Sequence, residues 1–144
     1  MSRIINLNSP GKIRSQNQRT IAEILRRMST KASLDDESKD MSAALVFLLR
    51  EIYAGVIGSI EAWEKRGYWM KADRFMRDWE WTNETASNLE DVIRNDAWDL
   101  LPQLLAEMIP HSAGIELKRL TRPPSAWNGA HRKLLEEPPS ESPW

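Results

Sequence analysis

The chain has 144 residues, a formal net charge of −1, 41% hydrophobic and 28% charged residues, and no cysteine. That length suits one domain with a real core and is short for two, and a chain without cysteine can hold neither disulfides nor thiolate chemistry. The longest unbroken apolar run, Ala43–Leu49, is well short of a membrane span, and the first residues carry no apolar leader, so a cytoplasmic protein with no membrane partner is expected.

The elements follow in chain order. Arg3–Leu7 reads as a short strand or an extended arm within residues 1–8, ahead of a single helical domain over 9–136. Ser9 offers a side-chain N-cap and Pro10 suits the first helical position, so a first helix is expected from Pro10 to about Met28. Its apolar stripe is sparse: Ile13, Ile21, Ile24, Leu25 and Met28 share a face with Asn17 and Thr20.

Ser33 followed by Asp36 resembles a capping box opening a long helix over about 34–66. Its core positions, Met41, Leu45, Leu48, Ile52, Val56, Ile60 and Trp63, are spaced by about 3.67 residues, above the 3.5 of a left-handed coiled coil. Val46, Leu49, Tyr53 and Ile57 widen the apolar surface to roughly half the circumference, which requires at least two neighbours. On the far side Ala54, Gly58 and Ala62 form a stripe of small residues, with Gly55 and Ser59 beside it, read as a seat for another helix.

Gly67 ends this helix, and a third is expected over about 68–94, folded back as the other arm of a long antiparallel hairpin. Tyr68, Ala72, Phe75, Met76, Trp79, Ala86, Leu89 and Ile93 share its core face. Trp81 falls instead among Met70, Arg74, Arg77 and Asn88, on the side expected to meet solvent. Asp96 or Asp99 then caps a fourth helix ending near Met108. Ile115–Leu120 has weak strand character and is expected to pair with residues 3–7. Ser125–Glu136 reads as a final short helix, and 137–144 has the composition of a disordered tail. The fold class is all-α, with two or three shorter helices packed on the hairpin and this one minor pairing of strands.

Charge is distributed in blocks: +6 over residues 1–31, −5 over 32–64, +4 over 65–77 and −7 over 78–107. Folding the third helix onto the second gathers Asp35, Asp36, Glu37 and Asp40 with Glu84, Glu90, Asp91 and Asp96 at one end. Like charges so gathered need a neutralising partner, and the basic first helix is the expected one.

These residues admit three function classes. Glu61-x-x-Glu64 facing Asp96-x-x-Asp99 is the arrangement that would hold Mg²⁺ in a helical nucleotide pyrophosphatase. Two histidines, His111 and His131, are too few for a di-iron or zinc site, and neither a P-loop nor a nucleophile elbow is present; no cofactor is expected. Arg3, Lys12, Arg14, Arg19, Arg26 and Arg27 supply a basic footprint for nucleic acid. The favoured reading is a non-catalytic interaction, scaffold or regulatory subunit that self-associates. Trp81, with Arg77, Arg74 and Met70, is its binding anchor, the alternative being that helix 4 with Trp98 or the segment around Trp127 covers the indole, and the Ala54/Gly58/Ala62 stripe is its packing groove.

Overall fold

A computed structural model of the chain describes residues 9–139. Among these residues the fold is all-helical: α1 (Pro10–Ser29), α2 (Asp36–Lys65), α3 (Trp69–Arg94), α4 (Leu101–Met108) and α5 (Ala130–Glu136), with single 3₁₀ turns at Trp98–Leu100, Ile109–Ser112 and Pro124–Ala126. Residues 115–120, read from sequence as a strand, form no strand here. Their proposed partners at 3–7, with the rest of the arm, lie outside the described residues, as do 140–144.

The helix starts follow from side-chain caps. The Ser9 hydroxyl accepts the Lys12 amide at 3.3 Å with Pro10 opening α1. The cap of α2 is Asp35 rather than Ser33: its carboxylate accepts both the amide and the hydroxyl of Ser38, at 2.8 and 2.7 Å. A carboxylate at this position also complements the positive end of the helix dipole, which a serine hydroxyl does not.

The core centres on α2, whose Met41, Leu45, Val46, Leu49, Ile52 and Val56 are almost fully buried. α1 lies along one side, where the Asn17 amide donates to Glu51 at 2.9 Å and Pro10 sits against Gly55. α3 lies along another, with Ala72, Ala86, Leu89 and Ile93 buried. Its contacts descend from Glu90 to Phe75 as those of α2 rise from Arg50 to Trp63. α5 covers a third side between Asp40, whose carboxylate accepts the His131 amide at 3.0 Å, and Arg50, which pairs with Glu137. Glu137 and Pro138, assigned from sequence to the tail, are therefore held: the Pro138 carbonyl accepts from Arg94 at 3.3 Å.

By length and composition α2 is long and apolar enough to cross a membrane, although Arg50 and Glu51 interrupt its apolar sequence. In this fold 44% of that stretch is buried against the rest of the chain. Core helices pass the same test.

Candidate functional site

Four surfaces were singled out by the sequence, and tertiary contacts treat each differently. The basic face of α1 is turned to the chain itself. Arg19 donates to the Arg119 carbonyl at 3.3 Å, Arg26 to that of Leu117 at 3.1 Å, and Arg27 to that of Arg122 at 3.3 Å. Arg27 also lies over the Trp127 ring, 5.3 Å from its centroid. Arg14 is wedged over Phe75 and Trp79, at 5.1 and 5.2 Å, and the burial of its guanidinium lowers its pKa. Of the proposed phosphate contacts, Lys12 is exposed and Arg3 lies outside the described residues.

The residue that organises this face is Glu23, the lone acid of the basic block. Its side chain is fully buried, and its carboxylate accepts the amides of Thr121 and Arg122 while facing the guanidiniums of Arg19 and Arg122, at 3.4 and 3.6 Å. Burial alone would raise its pKa, but the Arg122 and Thr121 hydrogen bonds outweigh that and hold it below the ordinary carboxylate value. Residues 117–122, which overlap the segment 115–120 expected to pair as a strand, are thus clamped across α1 by side chains.

Three acids of the acidic end are paired, by Lys31 from the basic N-terminal segment just past α1 and by two arginines of α2 and α3. Lys31 reaches Asp35 and Glu37, both at 2.8 Å. The nearly buried Glu90 is gripped by Arg50 and by Arg94, the latter at 2.7 Å. Arg94 continues to the Leu134 carbonyl at 3.1 Å, which ties α5 to α3.

The two carboxylate pairs of the metal hypothesis do not converge. Glu61 and Glu64 sit beside the start of α3, and Asp96 and Asp99 lie beyond its far end. The 26 residues of α3 separate the pairs by about 39 Å at the usual helical rise. Among the described residues no group of three or more metal-ligating side chains gathers anywhere. Asp96, at a positive φ of 51°, instead accepts the Trp98 indole N–H at 3.1 Å.

Trp81 is half-buried, and its cover is His111, from the 3₁₀ turn after α4, whose ring lies parallel to the indole at 3.7 Å. Burial against this ring pushes the His111 pKa down. Arg77, expected beside the indole, pairs with Asp73 at 3.1 Å. The stack continues as one aromatic column along α3: Trp81 on Trp79, Trp79 beside Phe75, and Phe75 edge-on to Trp63 at 4.9 Å.

Three surfaces stay open. The first is the small-residue stripe in the C-terminal half of α2: Ala54, Gly58 and Ala62 are all exposed, and a Cβ built on Gly58 meets nothing within 4 Å. The second is the junction of α2 and α3. Tyr68 and Trp69, read as core and core margin, are 51% and 63% exposed, and Met70 is 82% exposed. An apolar cleft of about 420 Å³ also opens between the end of α1 and α4, lined by Leu25, Met28, Leu34, Leu101, Leu105 and Ile109.

Comparison of the chain with protein-family models, with curated proteins and with solved structures returned no match.

Proposed function

We propose that this chain is a non-catalytic scaffold or regulatory subunit that self-associates, built on an antiparallel hairpin of α2 and α3 and pairing through the C-terminal half of α2. One observation carries the reading. α5 fills the seat along α2 from Asp40 to Arg50, and the continuation of that same face through Ala54, Gly58 and Ala62 is bare. Side chains no larger than a methyl group let a second helix approach closely, where dispersion contacts are densest. Two copies of one face meeting about a two-fold axis need no second binding surface.

The basic helix and the carboxylate pairs give less support to the other two readings, since the guanidiniums already hold chain carbonyls and the carboxylates lie apart. Light scattering on a concentration series checks the proposal. The wild type is expected to be dimeric, and Gly58→Glu, which puts two charges against each other across the axis, is expected to weaken association at least about tenfold with helix content unchanged. A wild type that stays monomeric at every concentration overturns it.

A further inference from the structure

The open end of the α2–α3 pair has a composition that self-association through α2 does not use. α2 closes in a Schellman motif: the Tyr68 amide donates to the Trp63 carbonyl at 2.9 Å and the Gly67 amide to that of Glu64 at 3.0 Å, with Gly67 at a φ of 79°. The tight turn leaves Tyr68, Trp69 and Met70 projecting consecutively from the first turn of α3. Lys65, Arg66 and Lys71 flank them, and no acidic residue occurs between positions 65 and 72. Lys65, Arg66 and Arg74 are exposed and make no ion pair among the described residues. Lys71 lies over the Trp63 ring, 4.4 Å from its centroid. Behind the turn, the Trp63–Phe75–Trp79 column with Arg14 wedged against it stiffens the base from which the three side chains project.

We infer that this end of the molecule docks onto an anionic lipid surface, with Trp69 and Met70 entering the acyl boundary, Tyr68 at headgroup level, and Lys65, Arg66 and Lys71 against the lipid phosphates. Indole and phenol rings favour that interface because each has an apolar body and a polar tip, and cations beside them add attraction to anionic headgroups. The charge pattern favours a surface over a polyanion. Glu61 and Glu64 lie one to two turns behind the tip, where they would repel a nucleic acid running along the helices. A bilayer touches only the tip. From Ile60 through Trp81 the chain also carries no Asn, Gln, Ser or Thr with which to read base edges. A soft interface accepts a convex wedge, whereas a protein partner must supply a matching pocket.

The test is partitioning of the full chain onto phosphatidylcholine vesicles with and without phosphatidylserine, followed by co-sedimentation. Binding is expected only with phosphatidylserine present and is expected to fall with added salt. Trp69→Ala with Met70→Ala, and separately Lys65→Glu with Arg66→Glu, are expected to weaken partitioning roughly tenfold or more while the thermal melt stays unchanged. Quenching of tryptophan emission by bromine-labelled acyl chains is expected for the wild type and is expected to be lost in Trp69→Phe, which keeps the apolar wedge. Absence of partitioning overturns the inference, as does equal partitioning of the double variants. Tip-dependent binding of single-stranded DNA or an acidic polypeptide in place of vesicles also overturns it. Oligomeric state is read without lipid, so a failure here leaves the proposal for the α2 face standing, and the converse holds.

Discussion

Glu23 shows what a single side chain can organise. Its carboxylate is out of water altogether, and four groups of residues 121 and 122 converge on it: the Thr121 and Arg122 amides, the Thr121 hydroxyl and the Arg122 guanidinium. A buried charge is tolerated only when its lone pairs are occupied in this way. Glu23→Gln keeps the shape, removes the charge, and turns an N–H group toward amides that also donate. It is expected to cost about 2–3 kcal/mol of unfolding free energy, measured by urea denaturation at neutral pH. Because the folded carboxyl is held below its ordinary value, its contribution is complete above the unfolded pKa and is lost as pH falls through the folded one. The gap between wild type and variant is therefore expected to be constant above about pH 5 and to close in more acid solution. A gap that persists at low pH would sink this account. Asp35 and Glu37, both lowered chiefly by Lys31, steepen the acid limb in either protein, so only the difference is diagnostic. In the sequence Glu23 was merely the exception in a basic block; its partners lie 98 and 99 residues away.

At the scale of elements, the helices were legible because their signals are local. Pro10 after Ser9, the spacing of apolar residues in α2 and the break at Gly67 are all written within a few residues of the feature they set. Gly67 is the sharpest of these, since its φ of 79° lies where a Cβ meets the following carbonyl. Gly67→Ala finds open space around its methyl group, so backbone strain is its only penalty. An increase in unfolding rate with a loss of about 1–2 kcal/mol is expected from chemical denaturation. Gly58, by contrast, is an ordinary helical position with nothing near it. The misread elements were those whose local signals compete. Ser33 and Asp35 are both good caps, and Asp35 prevails where it can also hold Ser38 and Lys31. The chain from 115 to 120 has strand-like residues, but the arginines of α1 take up carbonyls that a strand partner would need.

Across the whole molecule, the long connection from α4 to α5 acts as a strap. It carries Trp127, the one tryptophan among the described residues that is almost fully buried, at 2% exposure, with its indole N–H directed to Glu37 and Arg27 on its ring. Trp127→Ala is expected to cost about 3–5 kcal/mol and to depress the thermal midpoint more than any change at the exposed Trp69, as calorimetry can check. The all-helical class, the length of the central helix, the turn at Gly67 and most of the candidate charged and aromatic groups were legible in the sequence. All of these depend on backbone propensity and periodicity, which act over a few residues. Which side chains were already taken, and which were left free, followed from long-range packing. It placed His111 on Trp81, locked Arg14, Arg19, Arg26 and Arg27 onto the chain, set the carboxylate pairs at opposite ends of α3, and left Tyr68, Trp69 and Met70 bare. Whether a charged or aromatic group is free depends on partners far along the chain, as many as 100 residues away for Arg19, and neither helix periodicity nor charge counting carries that information.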